Sequence, residues 1–361
     1  IQFGTSYSLF SFDYYQNMLY ADTLNIDTRE YVSMVKNYVG WKHRLNENVT
    51  IVSGLHNLIV LLNNKTTLEP RIAINWRLNE SSSFHTGYGM HSIMESIHHY
   101  FATVAQSDGS NTKLNEDLDL LKAHHFVLGY DKRFSENLRL KAEVYYQHLY
   151  NLPVENVDTS YFATLNEAYE YRYVDLVNKG TGRNYGLEIT LERFYNRNFY
   201  FLINGSVFSS KYKSLEGVLR NTPYNSNYIF NILIGKEFED LGRKNNQTLA
   251  LNTKIFFAGD GKIIPLLRDE DGNLAVDPEN NNYWDYEKAY EKGLDNVYQI
   301  NLSISYKWNK PKATHEIFIS FDDLTNARAK LSEYYDASMP GSIGYITQFG
   351  FFPNLMYRLY F

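Results

Sequence analysis

Cysteine is absent from the 361 residues. No disulfide and no thiolate metal site can therefore form, and an address outside the reducing cytoplasm fits. No run of about 18 apolar residues occurs, which excludes a membrane-spanning helix. Basic excess is absent too: Lys and Arg number 35 against 41 Asp and Glu, for a net charge of −6. That balance offers no electrostatic footprint for nucleic acid. No glycine-rich phosphate loop and no nucleophile–base constellation is found, so no enzymatic reading, catalytic residue or cofactor is expected.

Aromatic residues are abundant instead, at 16% with 32 Tyr and 22 Phe. Their distribution goes with a period of two. In 137–150, Leu138, Leu140, Ala142, Val144 and Tyr146 alternate with Arg139, Lys141, Glu143, Tyr145 and Gln147. In 297–308, Tyr298, Ile300, Leu302, Ile304, Tyr306 and Trp308 alternate with Gln299, Asn301, Ser303, Ser305 and Lys307. The stretch 183–194 sets Tyr185, Leu187, Ile189 and Leu191 against Gly186, Glu188, Thr190 and Glu192. Successive strand side chains point to opposite faces, so each stretch has one apolar and one polar face. A mean hydropathy of −0.43 suits strands that show lipid one face and a wet interior the other, joined by hydrophilic loops.

The same pattern predicts about 14 strands, near 2–15, 33–46, 49–61, 69–79, 82–92, 119–134, 137–150, 183–195, 198–211, 225–239, 246–259, 296–308, 312–324 and 346–361. Their connections alternate in length. Short ones are expected at 46–48, 79–81, 135–137, 195–198, 240–246 and 309–312, and long ones at 22–32, 62–68, 93–118, 151–182, 212–224, 260–295 and 325–345. Short turns on one side and long loops on the other is the plan of a transmembrane antiparallel β-barrel of the bacterial outer membrane. The last strand places Leu355, Tyr357, Leu359 and Phe361 on one face, in the manner of a barrel-assembly signal. It leads away from a long loop, which puts the C-terminus on the periplasmic side.

Several phrases resemble TonB-dependent receptors of the Bacteroidota. They are LEPRIAINWRLNE (68–80), KAHHFVLGYDKRFSENLRLKAEVYYQHLYNLPVE (122–155), NKGTGRNYGLEITLERF (178–194), RNTPYNSNYIFNILIGKEF (220–238) and the run from Ile300 to Ala329. The resemblance implies an outer-membrane barrel of about 22 strands, plugged by an N-terminal domain. It implies that 1–361 is the C-terminal portion of that barrel domain, with the plug, the TonB box, any leader and the earlier strands lying upstream of Ile1. The partners implied are outer-membrane lipid, the TonB system acting through that upstream region, and a surface lipoprotein or complex.

The function expected is TonB-dependent uptake of a scarce nutrient: a siderophore, metal chelate, peptide or oligosaccharide. The alternatives are a passive porin-like barrel of about 14 strands and a barrel that anchors a surface or secretion complex. Candidate ligand-binding residues lie in the long loops. One group is His98, His99 and Tyr100 in HSIMESIHHYF, where the histidine spacing matches no metal motif and loop contact is the expectation. The other is Tyr283, Trp284 and Tyr286, rings able to stack on a solute but expected first to pack the loop. Asp269–Asn273 has too few ligands for a calcium loop and reads as a tight turn at Asp271–Gly272. His124 and His125, adjacent on a strand, face opposite sides and cannot form one site. Charges such as Arg139, Lys141, Glu143, Glu188 and Glu192 are expected to pair across a wet interior.

Overall fold

A computed structural model describes residues 1–17, 25–101, 103–105, 111–167, 172–280, 282–339 and 341–361. Among these residues, one antiparallel sheet of 15 strands carries the fold. Its path runs Gln2–Asn17, Asn25–Arg44, Val49–Val60, Lys65–Asn79, Ser82–Ile93, Leu121–Ser135, Leu138–Glu155, Leu176–Asn196, Phe199–Lys213, Tyr228–Leu241, Gln247–Ala258, Val297–Lys310, Ala313–Asp322 and Phe352–Tyr360. The fifteenth, Leu219–Asn221, pairs with Phe199–Lys213. Each of the 14 expected strands is present, and neighbours in sequence are neighbours in the sheet.

The short connections lie where alternation places them. Arg197 and Asn198 both have positive φ, at 52° and 62°, the backbone of the two-residue hairpin turn that matches strand twist. The expected long connection 62–68 is a tight turn at 61–64, because Asn64 adopts φ 56°, a left-handed conformation Asn tolerates. Part of the expected connection 22–32 is strand: residues 25–32 pair with the first strand, and 22–24 lie outside the described residues. The strands of 138–155 and 176–196 likewise extend into what reads as the loop 151–182.

By its contacts the chain divides into two compact units, residues 1–128, 145–185 and 210–222, and residues 129–144, 186–209 and 223–361. In the second unit the register aligns whole rows. Ile304 stands opposite Leu251 and Ile319, and Ile319 opposite Leu355. Ile300 stands opposite Ile255, which faces Ile232 and then Ile203. On the other face Ser303 meets Asn252 and Ser320, and Lys307 meets Thr248 and Glu316. The alternation seen along one strand thus becomes a continuous apolar surface and a continuous polar one. Charges on the polar side find each other: Arg139 donates to Asp131 at 2.7 Å, and Lys141 pairs with Glu143.

The first unit repeats the arrangement. Trp41, Ser53, Ile72 and Tyr88 form one row, and Gly40, Gly54, Arg71 and Gly89 form a row on the opposite face. Towards the long loops this second face turns apolar. Phe12, Val32, Met34, Leu58 and Val60 lie on it, and Tyr100, Phe101, Leu118, Leu120, Phe162 and Leu176 pack against them as a small core. Burying such side chains yields roughly 1.5–3 kcal/mol each, which holds loop segments on the sheet instead of in solvent. Buried Asn115 joins two loops, donating to Val174 O at 2.9 Å and accepting from Leu176 N at 2.9 Å.

Candidate functional site

Two regions of the first unit concentrate polar chemistry. The first is a recess of about 460 Å3 in the polar face. Its floor is made of Gly40, Gly54, Ala73, Gly87 and Gly89, and Tyr38, His56, Arg71, His91 and His125 stand around it. Residues without large side chains leave a hollow; above Gly40 no atom lies within 4 Å of where a Cβ would sit. The rim is braced by Glu69, only 1% exposed. Its carboxylate accepts from Arg71 at 2.8 Å and Thr67 at 3.2 Å, bonds Ser92, and lies 3.0 Å from His56 Nδ1. A buried carboxylate so fully partnered is stable where an unpaired one would not be. It neutralises Arg71, so the rim presents imidazoles, a phenol and a screened guanidinium to whatever passes.

The second region lies at the loop end of the same face. Residues 97–101 form one short helix that turns Tyr100 and Phe101 into the small core. His98 and His99 are carried with them, at 8% and 1% exposure. From the other loop Glu167 arrives, with Oε2 lying 3.0 Å from Nε2 of both rings. Arg172 N donates to its other oxygen at 3.1 Å. Burial works against the charge of Glu167, but hydrogen bonds from His98 and then His99 outweigh it and hold the carboxyl at about 2. Nearby Glu95 is pushed the opposite way, upward, by burial; His99 and the Thr164 hydroxyl at 3.0 Å counter it only in part. Burial also raises the Tyr100 phenol.

His98, His99 and Tyr100, expected as exposed loop contacts, are therefore interior. The reason is Tyr100 and Phe101, whose burial drags the preceding histidines inside, a consequence of tertiary packing that a polar loop sequence does not advertise. Glu167, 69 residues from His98, carried no motif signal at all. His124 and His125 do part to opposite faces: His124 Nδ1 lies 3.0 Å from the Tyr88 hydroxyl, while His125 tilts toward His91 with ring centres 6.3 Å apart.

The second unit places the remaining candidates. Tyr283 packs on Tyr335 with ring centres 5.8 Å apart, and Trp284 bridges to Leu266. Tyr286 is 46% exposed. Buried Glu333 organises this loop, accepting from Leu266 N at 2.8 Å and from Arg268 at 3.1 Å. The Asp269 carboxylate accepts from Asn273 N at 2.7 Å, and Gly272 has φ 83°. This is the tight turn that the sequence predicts.

No family model and no curated protein matches the sequence. Solved structures do match the fold. The outer membrane transporter YddB from Escherichia coli aligns with 99% of this chain at 12% identity and a TM-score of 0.63, over 51% of its own length. The ferric preacinetobactin receptor BauA from Acinetobacter baumannii aligns with 99% at 10% identity and 0.61, over 50% of its length. The ferric yersiniabactin uptake receptor FyuA from Yersinia pestis aligns with 92% at 12% identity and 0.59, over 46% of its length. The chain thus spans about half the length of the solved structures it matches. Over 92–99% of its length, this chain shares the all-β, antiparallel-sheet fold of solved outer-membrane receptors and transporters.

Proposed function

We propose that this chain belongs to an outer-membrane barrel that takes up a scarce nutrient in a TonB-dependent manner. The observation that carries the reading is the polar face. It combines a glycine-floored recess rimmed by Tyr38, His56, Arg71, His91 and His125 with long-loop segments folded onto the same face by a built apolar core. A plain anchor has no use for either. Among the structures that share the fold are a ferric yersiniabactin uptake receptor and a ferric preacinetobactin receptor, which favours a siderophore or metal chelate over a peptide or an oligosaccharide. The chain supplies the C-terminal portion of the barrel domain, and its end lies on the periplasmic side. Outer-membrane lipid covers the apolar rows, and the TonB system acts through a plug domain carried upstream. A surface lipoprotein or complex is a further partner of the long loops. Among the residues proposed for solute contact, Tyr286 is exposed and Trp284 is half-buried beside it, while Tyr283 supports them. His98, His99 and Tyr100 act on the solute through the loop that they hold.

The test is uptake by cells whose gene for the natural polypeptide is deleted and then restored. Accumulation of a radiolabelled ferric siderophore set, with and without a protonophore, is followed over minutes. Uptake that is restored by the gene and abolished by the protonophore supports the reading. Restored uptake indifferent to the protonophore would make the barrel a passive pore, and no change for any solute would leave the anchor reading.

A further inference from the structure

The cluster of His98, His99 and Glu167 does more than close a loop. We propose that these three residues form a binding site for a divalent transition-metal ion of the Zn2+ class, which fastens the loop helix 97–101 to the segment ending at Glu167. The inference is independent of which solute the barrel carries.

The donor set fits. One ligand atom from each residue lies within 4.8 Å of the others. Zn2+ bound at roughly 2.0–2.2 Å by nitrogen and carboxylate ligands in a tetrahedron separates those ligands by about 3.2–3.6 Å. The present contacts of 3.0 Å from Glu167 to each ring need to open by only a few tenths of an ångström. Two imidazoles and one carboxylate leave a fourth position for water or for a further group. Imidazole is a good ligand for Zn2+ and its neighbours, whereas Mg2+ and Ca2+ prefer oxygen alone.

The surroundings point the same way. Both rings address a single oxygen, Glu167 Oε2, at 3.0 Å, so the three ligand atoms already converge on one point. The other Glu167 oxygen is held by Arg172 N, an outer hydrogen bond of the kind that aims a ligating carboxylate. His99 is 1% exposed, so its Nε2 meets Glu167 away from bulk solvent. The Asn166 amide beside Glu167 is buried with neither end partnered. Buried polar atoms left in this state are rare and call for an explanation such as an ion with its water.

The natural polypeptide, folded in detergent and stripped with a chelator, is dialysed against Zn2+ and its metal content measured. In parallel Co2+ is added and the visible spectrum recorded. One Zn2+ per chain is expected that is lost in Glu167→Gln, together with intense Co2+ bands typical of low coordination number that fall by more than about tenfold in the variant. Heat-modifiable migration on a gel reports that the variant barrel is folded. Zn2+ retained equally by Glu167→Gln would overturn the proposal. If the variant fails to fold, the unaltered protein still decides: the absence of the Co2+ bands would mean that the three residues are only a hydrogen-bonded cluster.

Discussion

Ile304 stands directly opposite Ile319 in the ladder, while its chain neighbour Ser303 stands opposite Ser320. Adjacent residues therefore belong to two different surfaces, which on the proposed function face lipid and the wet interior. Ile304→Arg should cost about 2–4 kcal/mol in a urea unfolding titration in lipid vesicles, the figure for a cation near mid-membrane. Ser303→Arg should cost well under half of that. Equal losses would count against the assignment of faces.

Glu333 holds the loop of the second unit from inside. At 3% side-chain exposure it receives both the Leu266 amide and Arg268. Glu333→Ala leaves the buried Leu266 N–H unsatisfied, at a cost of roughly 1–3 kcal/mol. Hydrogen exchange should quicken at Leu266 and Leu267 while the strand Val297–Lys310 keeps its protection. Unchanged exchange in the loop would show that water replaces the carboxylate without loss.

Gly180 has no room for a side chain. A Cβ there would stand 2.4 Å from Val154 Cγ1, 2.9 Å from Leu152 O and 3.1 Å from Lys213 O. Two of those atoms are backbone carbonyls of other strands and cannot swing aside. Gly180→Ala should destabilise by about 1–3 kcal/mol, the usual cost of overpacking, read as a lower urea midpoint. Gly40→Ala, with open space above it, is the control and should leave the midpoint in place.

Tyr283 and Tyr286 separate packing from contact. Tyr283→Ala removes a ring pair with Tyr335, worth about 0.5–1.5 kcal/mol beyond its buried area, and should speed proteolysis of the loop. Tyr286→Ala, at a ring 46% exposed, should weaken solute binding by about tenfold, measured by competition on whole cells. Loss of binding in neither variant would take the solute away from this loop.

The 14 strands along the main sheet and their two faces were legible in the sequence, because a period of two is written into each of them. Ile300, Leu302 and Ile304 alternate with Asn301, Ser303 and Ser305 whether or not a neighbour is known. The ends of strands were less legible. Residues 25–32 read as a polar loop, yet Arg29 donates to Asp13 at 3.1 Å and Glu30 accepts from Lys113 at 2.6 Å. These partners allow polar strand to continue past the apolar rows, and none of them is local. The sites were the least legible. Gly40, Gly54 and Gly89 become one floor only when register aligns four strands, and Glu167 meets His98 and His99 only because Tyr100 and Phe101 are drawn into a core assembled from segments far apart in the chain. Local periodicity determined the sheet. Long-range packing, which depends on groups far apart in the chain, decided what the sheet and its loops bring together.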